Sequence, residues 1–209
     1  MIRAVRRLRA GIEVVVEERS SDMTTRAAVG AAADELQVAL ASDRAFESWY
    51  RRTLPRVYSY LLSRGGNDAA LAEELTQLTF IAAVQGRSTF DGRSDTVTWL
   101  CAIARHKLAD HFRVLEREER RRTRMELREI SMDSADHHAP QLDDRAAIAE
   151  ALGSLPTAQR AVLTFVVLDD LSVAEAARLL GRSAGATQSL LHRAREGFRR
   201  AYGAELADD

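Results

Sequence analysis

The chain has 209 residues, with 30 basic and 31 acidic side chains, a formal net charge of −1 and 46% hydrophobic residues. This length is enough for one or two domains with a real core, and the single cysteine, Cys101, excludes an internal disulfide and a multi-cysteine zinc site. No run approaches the roughly 18 apolar residues of a membrane span, so we expect no membrane insertion and a reducing cytoplasm as the compartment. Scarce strand signals predict an all-α fold of two small helical domains.

Residues 1–41 form an N-terminal extension that no motif explains. Its basic start is followed by an apolar stretch that is too short, and too interrupted by Glu13, for a secretory signal. Residues 27–40 are compatible with an amphipathic helix that covers a binding face and equally with a solvated leader, and Met23 is an alternative start.

The segment after Ser42 repeats large apolar side chains at spacings of three and four residues. This pattern predicts an amphipathic helix that begins at Ser42 and Asp43 and ends at Gly65 and Gly66. A second helix, capped by Asn67 or Asp68, is expected next. The side chains predicted to share its apolar face are Leu71, Leu75, Leu78 and Ala82.

A polar loop around Phe90 leads into a third helix, predicted from Thr96 to Arg113. Residues 113–128 then hold seven arginines and four glutamates, and the polar stretch after them has no apolar period. We therefore expect residues 114–146 to be a flexible linker after a first domain at residues 42–113.

The second domain is predicted over residues 147–203, followed by a tail at residues 204–209. Within it the capping box Ser172-Val-Ala-Glu175 opens a short helix that Gly181 ends, and Ser183 caps a longer helix. This order is typical of a helix-turn-helix, although plain helical bundles contain it as well. Residues 182–200 carry five arginines and one glutamate, and this net charge of +4 favours a surface that faces phosphates.

No catalytic constellation is present in the sequence. It has no glycine-rich phosphate loop, no paired metal-binding histidines with a neighbouring glutamate and no nucleophile elbow, and His137 and His138 fit a solvated linker. We therefore expect neither a metal nor a cofactor, and a protein that is not an enzyme.

Three motifs stand in a fixed order along the chain. The first is Ala72-Glu73-Glu74-Leu75-Thr76-Gln77-Leu78-Thr79-Phe80 in the second helix. The second comprises Phe90, Gly92, Trp99, Leu100, Ile103, Ala104, Arg105, Asp110 and Arg113, and the third comprises Leu155-Pro156 and Ser183 through Arg195. Together they resemble the extracytoplasmic-function sigma factors of the sigma-70 family, over most of the chain outside the extension and the linker.

The resemblance implies core RNA polymerase as a partner, through its beta-prime clamp and its beta flap. It assigns the polymerase contact to the motif in the second helix. Leu75 and Phe80 in this motif can equally be core residues, and Leu78 replaces a glutamate that is usual in the family. That motif contributes Glu74, Leu75, Gln77, Leu78 and Phe80.

The resemblance also implies two contacts with promoter DNA. The minus-ten element is expected to be opened and read by Phe90, Asp91, Gly92, Arg93, Ser94, Trp99, Arg105, His106, Lys107 and Arg113. Cations can hold the separated strand and the loop can hold an extruded base, whereas Trp99 is read equally as a core residue. The minus-thirty-five element is expected to be read in duplex form by Arg182, Ser183, Gln188, Ser189, His192 and Arg193.

The recognition helix departs from the family at two positions. Gln188 stands where lysine is common and Leu190 where arginine is common, so we expect weak or unusual minus-thirty-five binding. Gln188 can read adenine, and Leu190 is a candidate for contact with a thymine methyl group.

The function that the resemblance implies is that of an alternative sigma factor, which binds core polymerase and directs promoter recognition, strand opening and initiation. We expect it to be restrained by an anti-sigma factor or by its own added segments. One alternative is a helix-turn-helix regulator that acts without core polymerase, and another is a helical scaffold that has lost promoter reading.

Overall fold

The computed structural model describes Leu36, Val38, Ala39 and residues 41–126 and 144–205. Every regular element in those ranges is helical. In chain order they are α1 (Asp43–Arg64), α2 (Ala69–Gln85), a 3₁₀ turn (Arg87–Thr89), α3 (Thr96–Glu126), α4 (Asp144–Gly153), α5 (Thr157–Leu163) with a π-helical turn (Thr164–Leu168), α6 (Val173–Leu180) and α7 (Ala184–Glu205). The predicted all-α class is confirmed.

Contacts divide the described residues into two units, one up to Leu108 and the other from Ala109 onward. The division falls within α3, and this helix continues thirteen residues beyond Arg113, to Glu126. The predicted end of this helix at Arg113 was therefore too early. The rest of the predicted linker up to residue 143, and residues 1–35 of the predicted extension, lie outside the described residues.

In the first unit α1 packs against α2 through an aromatic cluster. Ser42 caps α1 by accepting a hydrogen bond from the backbone N–H of Ala45, and Asp68 caps α2 through the N–H of Leu71. The rings of Trp49 and Phe80 lie 5.6 Å apart, edge to face. Burial of these aromatic side chains supplies a large apolar contribution to the core.

The buried face of α2 is rotated from the predicted one. Leu75 is buried as expected, but Leu78 is 39% exposed, and Leu71 and Ala82 are only half-buried. The side chains that α2 buries are Ala72, Leu75, Thr76, Thr79, Phe80 and Ala83. Two threonines pack inward here, and one of them, Thr79, satisfies its hydroxyl by donating to the Leu75 carbonyl at 2.7 Å.

In the second unit α7 packs against α4, α5 and α6. The capping box is present in full: the Ser172 hydroxyl accepts from the N–H of Glu175, and the Glu175 carboxylate accepts from the N–H of Ser172. Gly181 ends α6 with a φ of 65°, in the left-handed region that glycine adopts without strain. The predicted helix-turn-helix is thus formed by α6, the turn at Gly181 and α7.

Candidate nucleic-acid interface

Polar side chains form the outer face of α7. Gln188, Ser189, His192 and Arg193 are exposed, and Nδ1 of His192 lies 3.5 Å from a Glu196 carboxylate oxygen. The inner face consists of Leu190, Leu191, Ala194 and Phe198. Because the inner side chains fix the helix in the core, the outer ones project from a rigid support, which is the arrangement a base-reading helix needs.

Two predicted residues at the start of this helix have structural roles. Ser183 is exposed and caps α7 by accepting a hydrogen bond from the N–H of Ala186 at 3.2 Å. Arg182 is partly buried and donates to the Glu116 carboxylate on α3. Leu190 is only 5% exposed, so the suggested contact with a thymine methyl group is wrong: the leucine fills the core.

The loop before α3 is shaped by Gly92 and Asp91. Gly92 is buried with a φ of 70°, and a carboxylate oxygen of Asp91 accepts a hydrogen bond from the N–H of Arg93 at 3.0 Å. The rings of Phe90 and Trp99 are half-buried and lie 4.8 Å apart. Trp99 is therefore partly buried, and exposed Asp91 and Arg93 and half-buried Ser94 follow Phe90 in the same loop.

Asp95 fixes the end of this loop by capping α3. Its carboxylate accepts hydrogen bonds from the N–H groups of Val97 and Thr98, at 2.9 and 3.0 Å, and from the Thr98 hydroxyl at 2.6 Å. Burial acts to raise the pKa of Asp95, but these hydrogen bonds and the charge of Arg56 outweigh it, so the pKa is lowered from 3.8. The sequence reasoning missed Asp95, although an Asp before a helical run is a recognisable cap signal.

The predicted cations of α3 differ in their surroundings. His106 is exposed, whereas Arg105 and Lys107 are partly buried. Arg113 donates to the Asp110 carboxylate one turn earlier on the helix, and a Cβ built on Gly181 would lie 3.9 Å from one of its nitrogens. Arg113 thus lies beside the turn of the helix-turn-helix.

The predicted polymerase-binding residues divide between core and surface. Leu75 and Phe80 are each 4% exposed, so they support α2 from within. Glu74, Gln77 and Leu78 are exposed. The sequence reasoning missed Ile81, which is 54% exposed one turn after Leu78; its i+3 spacing from Leu78 was the available signal.

Among the described residues there is no group of three or more His, Cys, Asp or Glu side chains arranged to hold a metal ion. The helices within the described ranges also include none that is both long and apolar enough to cross a membrane.

These features define a two-unit helical protein with a helix-turn-helix at its C-terminal end. Two family models match the chain, Sigma-70 region 2 over residues 49–118 and Sigma-70, region 4, over residues 145–196. The chain is 34% identical to the ECF RNA polymerase sigma factor SigC of Mycobacterium tuberculosis over 161 residues, which cover 77% of this chain and 85% of SigC. It is 37% identical to the ECF RNA polymerase sigma factor SigF of Caulobacter vibrioides over 140 residues, 66% of this chain and 75% of SigF.

A solved complex of the sigma factor RpoE with the anti-sigma factor NepR from Bartonella quintana aligns with a TM-score of 0.45 and 23% identity, covering 75% of this chain and 95% of that one. The chain belongs to the extracytoplasmic-function sigma factors of the sigma-70 family. It is an alternative sigma factor that directs transcription initiation by RNA polymerase, with core polymerase and promoter DNA as its partners. Proteins of this family are generally non-enzymatic regulators.

Proposed function

We propose that this sigma factor divides initiation among three surfaces. The exposed side of α2 binds core polymerase, the loop at residues 90–94 with α3 opens the minus-ten element, and the outer face of α7 reads the minus-thirty-five element. Residues 42–113 and 147–203 act as the two reading domains, residues 114–146 connect them, and the protein works in the cytoplasm beside polymerase and chromosome.

The observation that carries the duplex-reading assignment is the division of α7 into two faces. Four of the six predicted readers, Gln188, Ser189, His192 and Arg193, are exposed on one face, and the hydrophobic side chains between them are buried. A helix in the major groove reads base edges with side chains on one face only. Gln188 has the donor and acceptor pair that matches adenine, and Arg193 suits guanine or phosphate.

The loop before α3 supports the strand-opening assignment. Unpairing and unstacking a base costs a few kcal/mol, and a protein without a nucleotide motor offsets this cost by holding the extruded base and the strand. The half-buried Phe90 and Trp99 rings provide a stacking surface beside polar Asp91 and Arg93. Arg105, His106 and Lys107 supply the nearby cations for the strand.

The exposed side of α2 supports the polymerase assignment. Glu74, Leu78 and Ile81 follow one another at spacings of four and three residues, so they share one face, and Gln77 adjoins it. Leu78 and Ile81 are exposed apolar side chains, of the kind that mark a protein interface. An anti-sigma factor, which the family resemblance implies, would restrain the protein by covering this face.

Run-off transcription with core polymerase and a promoter library tests the proposal. We expect start sites that depend on the added protein. In the variant Gln188→Ala, preference at one minus-thirty-five base pair should fall by about 1–3 kcal/mol, because a bidentate base contact is lost. Arg199→Gln, an exposed change about 16 Å further along the same helix, is the control and should leave base preference unchanged.

Absence of any protein-dependent start site over a range of salt concentrations would contradict the whole proposal. A Gln188→Ala variant with unaltered base preference would contradict only the assignment of the reading face.

A further inference from the structure

The C-terminal part of α3 carries a row of arginines that the three proposed surfaces leave unused. Arg117, Arg121 and Arg124 are exposed and follow at spacings of four and three residues, so they lie on one face of the helix. At 1.5 Å per residue the row is about 10 Å long, and its first member lies one turn after Arg113. Among the described residues, none of the three forms an ion pair with an acidic side chain.

Two acidic side chains of this segment, Glu116 and Glu119, bind partners on other elements. Glu116 accepts hydrogen bonds from Arg182, and Glu119 accepts from the backbone N–H and the hydroxyl of Thr157 at the start of α5. Phe112, on the same side as both glutamates, packs edge to face on Phe165 with ring centres 5.9 Å apart. One side of this part of α3 therefore packs against other elements of the second unit.

The charges of the segment are thus sorted around the helix axis. At 100° per residue, Glu116 and Glu118 each lie roughly 90° or more from the centre of the arginine row. Arg122, in contrast, lies about 130° from it. Three cations without an acidic partner among the described residues thus lie in one line, although the net charge of the chain is −1. The contacts of Phe112, Glu116 and Glu119 hold the other side of this helix in place.

We propose that the row formed by Arg117, Arg121 and Arg124 binds backbone phosphates of the duplex DNA between the two promoter elements. Each strand of a duplex carries one phosphate per 3.4 Å along the axis, so a 10 Å row spans about three of them. The row continues from Arg113, the last residue assigned to the minus-ten element, and so faces the adjoining DNA. Arginines that contact phosphates and not base edges contribute affinity and register, but no sequence preference. The inference rests on the proposed function and adds a contact to it.

The test measures promoter binding by holoenzyme as a function of salt, with a promoter fragment recovered from the run-off screen. In Arg117→Gln/Arg121→Gln/Arg124→Gln we expect the slope of log K against log salt to fall by about 0.9 per arginine. The loss of affinity between 50 and 200 mM salt should then be about 40-fold smaller than for the unaltered protein. Glutamine is a good helix former, so α3 should persist, as circular dichroism would verify.

Matched single variants separate the row from a general effect of charge. Arg121→Gln should lower the slope by about 0.9, whereas Arg122→Gln, its exposed neighbour on the other side of α3, should not. A second probe, a promoter fragment that ends just upstream of the minus-ten element, lacks the intervening duplex. On this probe the triple variant and the unaltered protein should bind equally well.

Three results would overturn the inference: an unchanged slope, a loss of affinity that persists on the shortened probe, or weakened binding of the triple variant to core polymerase without DNA. The last would identify the row as a protein contact. If the unaltered protein forms no holoenzyme at all, the proposed function fails first, and that failure is seen before any variant is compared.

Discussion

Glu116 shows how one carboxylate connects two parts of the second unit. It accepts hydrogen bonds from Arg182 and, at 2.5 Å, from Arg120 one turn along α3. Burial acts to raise the pKa of Glu116, but the hydrogen bonds and charges of Arg182 and Arg120 outweigh it, so the pKa is lowered from 4.5. Since the folded pKa lies below the unfolded one, the stabilisation is present above pH 4.5 and is lost as the pH falls through the lowered pKa.

Glu116→Gln should therefore destabilise the protein at neutral pH and not in acid. We expect a loss of about 1 kcal/mol at pH 7, which is less than the roughly 1.5–3 kcal/mol of a charge-assisted hydrogen bond because solvent still reaches the pair. Urea unfolding at pH 7 and in acid measures the difference. Glu118→Gln is the control, since Glu118 is exposed on the same helix; an equal effect of both changes would show that the ion pair contributes nothing specific.

The exposed positions of polar side chains were predicted better from this sequence than the buried positions of apolar ones. Gln188 and His192 were correctly placed on an outer face because polar side chains at helical spacing leave few alternatives. Leu190 was wrongly placed on that face. Its position aligns with an arginine common in the family, but the leucine side chain is apolar and points into the core. On α2, the core face includes Thr76 and Thr79, which the apolar pattern does not predict, and it excludes Leu78.

At the scale of elements, the loop before α3 depends on one backbone conformation. Gly92 has a φ of 70° and is buried, a combination that an L-residue with a side chain adopts only at a cost of about 1–2 kcal/mol. The residues on either side, Asp91 and Arg93, are joined across it by a hydrogen bond of 3.0 Å. The proposed base-capturing shape is therefore set by glycine at this position.

Gly92→Ala should impair strand opening while sparing polymerase binding, because α2 lies apart from the loop in sequence and keeps its own core. An alanine at this position relaxes to a negative φ, and regaining the base-holding shape at a cost of about 1.4 kcal/mol would lower the equilibrium constant for opening about tenfold. Permanganate reactivity of thymines in the minus-ten region measures opening, and co-purification with core polymerase measures binding. Gly153→Ala serves as the control because a Cβ there meets nothing within 4 Å. Normal opening by Gly92→Ala would exclude a role for this turn.

The length of α3 was the least predictable feature among the elements. Beyond Arg113 the sequence has no apolar period, so a pattern of arginine and glutamate was read as the start of a linker. Two kinds of contact support the helix beyond Arg113: the Arg120–Glu116 pair within it, and the contacts of Phe112, Glu116 and Glu119 with Phe165, Arg182 and Thr157. Contacts between residues 38 or 66 positions apart leave no periodic trace in a sequence.

At the scale of the whole molecule, the charge is balanced overall and uneven locally. The 30 basic and 31 acidic side chains nearly cancel, yet residues 182–200 alone carry a net charge of +4. Non-specific attraction to DNA depends on the cations that a protein presents, and neighbouring acidic residues oppose it. Each reading surface of this sigma factor should consequently be weak by itself.

We therefore expect promoter binding to require polymerase. Free protein should bind a labelled promoter duplex in the non-specific range, with a Kd of about 10⁻⁴–10⁻⁶ M at physiological salt. When core polymerase holds both units, the second engagement becomes intramolecular, and affinity should rise by about 100-fold or more. Fluorescence anisotropy with and without core polymerase measures this, and a duplex with a scrambled minus-thirty-five element is the control. Nanomolar, sequence-specific binding by the free chain would instead indicate that α7 and its supporting helices recognise DNA without the enzyme.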